Sequence, residues 1–245
     1  MDWSRAKTVL ILAFLVLNVL LSFQLWTSRN ELEASKVGAG VAEVQQLMES
    51  KGVKLEAELP EGTPILREIT VEFDDSLRSV AREMLKDPVR DEIRMENGAL
   101  LSERIARQLP MGESYVLDVK QSKKDYYVYN QAYQKYPMFE VQLELFAEKG
   151  FITQYRQSLV EVVSPAPSDP KDPSILSSLT AVGSLTENYL STGAVITDVK
   201  LGYHGQLYNS ETQVLAPFWR IMLQSGELYY VHAINGAVEV PQKGK

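Results

Sequence analysis

The hydrophobic positions of this chain follow three patterns: one unbroken apolar run, a few stretches with helical spacing, and a larger set of alternations. The run comes first. No charged residue occurs from Thr8 to Ser28, and Val9 to Leu17 is continuously apolar. As a helix, this stretch spans about 31 Å, which matches a bilayer hydrocarbon core of about 30 Å. Trp3 and Trp26 lie near its ends, where amphipathic rings favour the headgroup region. The expectation is an uncleaved transmembrane anchor over 8–28. A cleaved signal peptide is the competing reading, since Arg5 and Lys7 would also serve as its basic region, but no suitably spaced small residues follow the run. The short basic tail, 1–7, is expected to stay in the cytoplasm while the long following domain is translocated.

Beyond the run, 29–40 is polar and reads as a stalk that breaks near Gly38 and Gly40. Val41, Val44, Leu47 and Met48 recur at helical spacing, with Gly52 as a C-terminal stop. Ile65 to Phe73 alternates as a strand. Asp74 or Asp75 could then cap a helix through Leu77, Val80, Met84 and Leu85 that stops at Pro88. Arg90 to Glu96 is a further candidate strand, Asn97-Gly98 a turn, and Ala99 to Gln108 a helix ended by Pro110. Strand patterns are clearest at Tyr115 to Val119, at Tyr126 to Ala132, and where Phe139, Val141, Leu143 and Leu145 alternate with Glu140, Gln142 and Glu144. Glu148-Lys149-Gly150 reads as a hairpin turn into a strand over Phe151 to Val163.

Four prolines between Ser164 and Pro173 exclude helix and central strand, so 164–173 is a surface connector. Past it, Ser174 could cap a helix carrying Ile175, Leu179, Val182 and Leu185. Strands are then expected at Val195 to Tyr203, Phe218 to Leu223 and Leu228 to Ile234, the last two joined across Ser225-Gly226-Glu227. The expected fold class is α+β: a transmembrane helix followed by an extracytoplasmic domain of antiparallel sheets with packed helices. The order helix, strand, hairpin occurs in 41–163 and again in 174–245, and Pro137-Met-Phe is echoed by Pro217-Phe-Trp. Two repeated α+β halves and two unrelated α+β units both fit this pattern.

Composition narrows the chemistry. The formal net charge is −7, and the part beyond residue 26 is near −8. An acidic domain repels phosphate backbones, so nucleic acid is not an expected partner. The absence of cysteine excludes disulfides, thiol nucleophiles and Cys-based zinc sites. His204 and His232, the two histidines, fall in different expected strands without metal-ligand spacing. No nucleophile elbow or phosphate loop is present, and the pairs Asp74-Asp75 and Asp91-Glu92 read as capping residues before they read as a glycosidase pair. No catalytic residue, metal ligand or cofactor is therefore expected. The many tyrosines suit either sheet cores or protein interfaces.

Asn18 and Ser22 remain the candidate contact residues. They lie one helical turn apart in the apolar run, and a carboxamide at that depth needs a hydrogen-bond partner. A second transmembrane helix could provide one, and so could the helix's own backbone.

Met1-Asp2-Trp3-Ser4 with Lys7-Thr8, Ile152-Thr-Gln-Tyr155-Arg-Gln157, Leu201-Gly202-Tyr203, Pro217-Phe-Trp219 and Ala233-Ile-Asn235-Gly236 occur in an order that resembles the YycI (WalI) family. The resemblance implies a membrane-anchored accessory protein of Gram-positive bacteria. With its relative YycH, such a protein acts on the sensor histidine kinase WalK of the WalK/WalR two-component system, which controls cell-wall metabolism. It further implies regulation through contacts among transmembrane helices, supported by the extracytoplasmic domains, with a sign that varies between bacteria. His232, just before the Ala-Ile-Asn-Gly segment, stands outside the pattern. Two other classes of function stay open on the residues alone: an anchored cell-wall enzyme and a module that binds wall polymer.

Overall fold

The computed structural model describes residues 14–15, 17–18, 40–73, 81–96, 98–165, 174–205 and 212–240. Phe14, Leu15, Leu17 and Asn18 are helical and exposed. The rest of the expected span, with Ser22, lies outside the described residues, as do Asp74 and Asp75. Among the described residues, no helix is long and apolar enough to cross a membrane.

The fold is α+β and, among the described residues, dominated by twelve strands. Helix α1 covers 40–51 and ends at Gly52, whose φ of +62° is one that a side chain would disfavour. It is followed by β1 (Lys54–Leu55), β2 (Ile69–Phe73), β3 (Glu83–Arg90) and the single-turn helix α2 (Glu103–Ala106). Next come β4 (Tyr115–Leu117), β5 (Tyr126–Tyr133), β6 (Tyr136–Glu148), β7 (Phe151–Gln157) and β8 (Val160–Pro165). Helix α3 (Ser178–Asn188) precedes β9 (Val195–His204), β10 (Thr212–Leu223), β11 (Leu228–His232) and β12 (Val238–Glu239).

The strands form three ladders. The first runs β3-β7-β6-β5-β4 and the second β12-β11-β10-β9. The third joins β2 and β8 to the first part of β10. Beyond Leu215, β10 pairs with β9 and β11, so one strand serves two ladders. The first and second ladders meet where Met138 of β6 pairs with Tyr203 of β9. Residues 40–73 contribute to the C-terminal layer: β1 lies parallel to β9, β2 pairs with β10, and Val44 and Met48 of α1 join its core.

Each helix seals one core. Ala181, Val182 and Leu185 of α3 pack with Trp219, Ile221, Val199, Leu201 and Val231 of the second ladder. Ser177 caps α3 by accepting from the Thr180 N–H at 3.1 Å, three residues after the expected Ser174. Gly183 faces Val44 so closely that a Cβ there would come 2.6 Å from its Cγ2, which fixes how near α1 and α3 approach. Ile105 of α2 packs with Tyr115, Leu117, Leu143, Leu145 and Ile152 of the first ladder.

Four expected elements differ from the structure: the strand expected over Arg90 to Glu96 is irregular beyond Arg90, and three others change as follows. The helix drawn through Leu85 to Pro88 is instead the edge strand β3, with Leu85 and Val89 buried in the first core. Among the described residues β3 pairs only with β7, and its register slips between Met84 and Val89, so Pro88 takes no donor role in a regular ladder. The Gln108 side chain closes that bulge by accepting from the Asp87 N–H at 2.8 Å and donating to the Asp87 carbonyl at 3.0 Å. Helix 99–108 shrinks to one turn because Leu100 bridges to Val116 and the Ala99 carbonyl accepts from Leu117. The strand 151–163 divides at Ser158, whose hydroxyl accepts from the Gln142 N–H at 2.7 Å, and the chain leaves one ladder for another.

Candidate functional site

In the second ladder, the residues of β9, β10 and β11 that pair directly across the strands share a face. Asp198, Lys200 and Gly202 stand opposite Met222, Arg220 and Phe218, and Tyr230 and His232 continue the row. This face meets the first ladder. Gly202 makes the meeting possible, since a Cβ there would lie 2.4 Å from the Pro137 carbonyl oxygen and 2.6 Å from Phe139 Cζ.

Arg220 is completely buried, and a guanidinium in that position must be matched by buried acceptors. Asp118, just past the end of β4, accepts from both of its terminal nitrogens, one of them at 3.2 Å. Asp198 accepts a third bond at 3.0 Å. The Phe139 ring lies 4.8 Å from the guanidinium carbon, while Arg220 Nε has no hydrogen-bond partner among the described residues. Asp118 also accepts from Asn130 at 3.0 Å and Gln121 at 3.2 Å, and Asn130 accepts from Gln142 at 3.3 Å. Burial on its own would raise the Asp118 carboxyl, but the Arg220 charge and its hydrogen bonds outweigh that and hold it at about 2. Arg220 is likewise held protonated by Asp118 and Asp198 against the pull of burial. Lys200 experiences burial most strongly, and its pKa is lowered despite nearby Asp118.

His204 stacks on Tyr230 with a centroid distance of 3.8 Å and rings parallel to within 1°, and its Nδ1 bonds Glu140. Glu239 of β12 stands 3.5 Å from its Nε2. The structure thus brings the two histidines to one aromatic row: Phe218 contacts His204 at 4.9 Å and His232 at 4.8 Å. No group of three or more metal-ligating side chains occurs among the described residues. Burial lowers the His232 pKa.

A cleft of about 1060 Å³ opens beside this seam, bordered by Leu59, Leu100, Val116, Pro137 and the β9 residues Thr197 to Lys200. Lys120, Lys135 and Glu113 stand at its rim. Nothing in the sequence pattern indicated the cleft, because it lies between ladders formed by distant segments.

Asn18 donates from Nδ2 to the Phe14 carbonyl at 2.9 Å, one turn back along its own helix. Its Oδ1 accepts no hydrogen bond among the described residues. Asp91 serves structure, accepting from the Tyr127 hydroxyl at 2.7 Å. Most of the described tyrosines are buried or half-buried, several with hydroxyls bonded to carboxylates, as Tyr126 to Glu144 and Tyr155 to Glu83; Tyr189 is exposed. Arg220 and Asp118 were missed at the sequence level. The available signal was one charge in an otherwise apolar strand, Pro217 to Leu223.

A sequence model described as YycI protein matches residues 34–234. The chain belongs to the YycI family. No curated protein matches it. Among solved structures, an uncharacterized protein from Eubacterium rectale is similar at 14% identity and a TM-score of 0.36, over 72% of this chain and 68% of that one.

Proposed function

From membership in the YycI family, a regulatory rather than catalytic one, we propose that this chain is a non-enzymatic, membrane-anchored regulator of a WalK-type sensor histidine kinase. Its N-terminus lies in the cytoplasm and its folded domain outside. It acts through contacts of its transmembrane helix and extracytoplasmic domain with the kinase and a YycH-like protein. The family match over 34–234 is the observation that carries this reading. Two features support the mode of action. Arg220 is enclosed between two carboxylates that tie distant segments together, as suits a rigid scaffold. The Asn18 carboxamide donates one N–H to its own helix, and its carbonyl oxygen accepts no hydrogen bond among the described residues, so a second helix could still bond it.

The experiment is a kinase reporter assay in membranes carrying the full-length protein or its Asn18→Leu variant. Regulation should weaken in the variant while the protein stays in the membrane. Unchanged regulation would remove Asn18 from the contact. Incubating the protein with peptidoglycan addresses the enzymatic alternative, and release of soluble fragments would sink the non-enzymatic reading.

A further inference from the structure

The first ladder is covered unevenly. Beyond Arg90 the chain leaves regular structure, and it rejoins the ladder only where Leu100 bridges Val116 of β4. Helix α2 then contributes a single turn, whose buried residue is Ile105. So short a helix closes little of a five-stranded face. Beneath the loop and α2 lies a cavity of about 550 Å³, within the range of small-molecule sites.

Its walls describe the body of a ligand. Val89, Ile105 and Ile152 are buried members of the first core, and Ile93 and Ala99 pack against that core from the loop. An apolar molecule entering here leaves water for a hydrocarbon surface that the fold has already assembled. The rim is of mixed sign, with Arg90, Arg94 and Arg104 beside Glu92 and Glu96, and Arg90 lies 4.0 Å from Glu92. It selects neither an anion nor a cation.

Tyr129 of β5 supplies the polar group of the interior. Its side chain lines the cavity although the residue is only 1% exposed. Two residues back on the same face the Tyr127 hydroxyl donates to Asp91, and the Tyr115 hydroxyl donates to the Ser158 carbonyl. The Tyr129 hydroxyl has no hydrogen-bond partner among the described residues. Buried polar groups are ordinarily paired, and burial raises the pKa of this one, so it keeps its proton and is free to donate it. We propose that the cavity is a binding site for a small, uncharged, largely apolar molecule carrying a carbonyl or similar acceptor, which accepts a hydrogen bond from the Tyr129 hydroxyl. The inference stands apart from the regulatory reading, since it concerns a different surface and is tested on the protein alone.

The test is amide hydrogen exchange of the full-length protein in detergent, titrated with acetophenone and with ethylbenzene, which has a similar shape but a methylene in place of the carbonyl. Acetophenone should slow exchange over residues 91–105. In the Tyr129→Phe variant the acetophenone concentration for half-maximal protection should rise roughly tenfold, as loss of one buried hydrogen bond implies, while that for ethylbenzene stays the same. Comparing each probe between the two proteins at one detergent concentration cancels its uptake into micelles. Should the variant fail to fold, carbon spectra of the tyrosine rings in the unaltered protein decide, because the Tyr129 Cζ signal should move further with acetophenone than with ethylbenzene. No protection over these residues, protection centred elsewhere, an equal change for both probes in the variant, or equal movement of the Cζ signal overturns the proposal.

Discussion

Arg220 in β10 and Asp118 beyond β4 form a two-bonded ion pair across 102 positions of sequence, with side-chain exposures of 0% and 1%. The pair joins the two ladders at the point where they share no strand. Breaking such a pair from one side leaves a buried charge unmatched, which costs about 3–5 kcal/mol. The Arg220→Met variant should therefore lose stability on that scale in denaturant unfolding. The double variant Arg220→Met, Asp118→Leu should recover much of the loss, because apolar replacement of both partners is often neutral. A double variant as unstable as the single one would show that the network does more than satisfy itself.

Stability should also fall in acid. The Asp118 carboxyl is held at about 2 in the folded protein against an ordinary 3.8. The unfolded chain binds this proton first, so stabilisation is complete above the unfolded value and is lost as pH falls through about 2. The contribution is on the order of 2 kcal/mol. Glu144, lowered by Arg156 and Tyr126 against the effect of burial, acts in the same direction. Unfolding free energies measured between neutral pH and pH 2 should show a shallower acid slope in Asp118→Asn.

Gly202 tests the meeting of β6 and β9. Adding one methyl group places it against the Pro137 carbonyl and the Phe139 ring, neither of which can yield without moving β6. Gly202→Ala should cost about 1–3 kcal/mol, as overpacking does, in thermal or denaturant unfolding.

The β5–β6 turn offers a change in the opposite direction. Gln134 and Lys135 have φ of 49° and 75°, left-handed values that favour Asn and Gly in a two-residue hairpin. Replacing them with Asn and Gly should stabilise the protein by about 1 kcal/mol, read as a higher unfolding midpoint.

These cases show what the sequence could and could not convey. Where apolar and polar residues alternate, as in Phe139 to Leu145, the alternation marks the strand even though Glu144 is buried in the structure, and Gly150 marks the following turn. At Gln134-Lys135 no glycine marks the turn. At Met84 and Leu85 an apolar spacing suited to a helix was overridden by an edge-strand position and a bulge stapled by Gln108. Single-residue patterns hold no information about which distant carboxylate will meet Arg220, so the ladder seam and its cleft emerge only from the tertiary arrangement. The apolar run with Asn18 and Ser22 was read as an anchor from its length, and most of it lies outside the described residues.

The most direct measurement is affinity purification of the full-length tagged protein from detergent-solubilised membranes of its own host, with bound proteins identified by mass spectrometry. A regulator of the proposed kind should bring down a sensor histidine kinase together with a YycH-like protein, and less of the kinase when Asn18 is replaced by Leu. Recovery of neither protein under conditions that preserve other membrane complexes would contradict it.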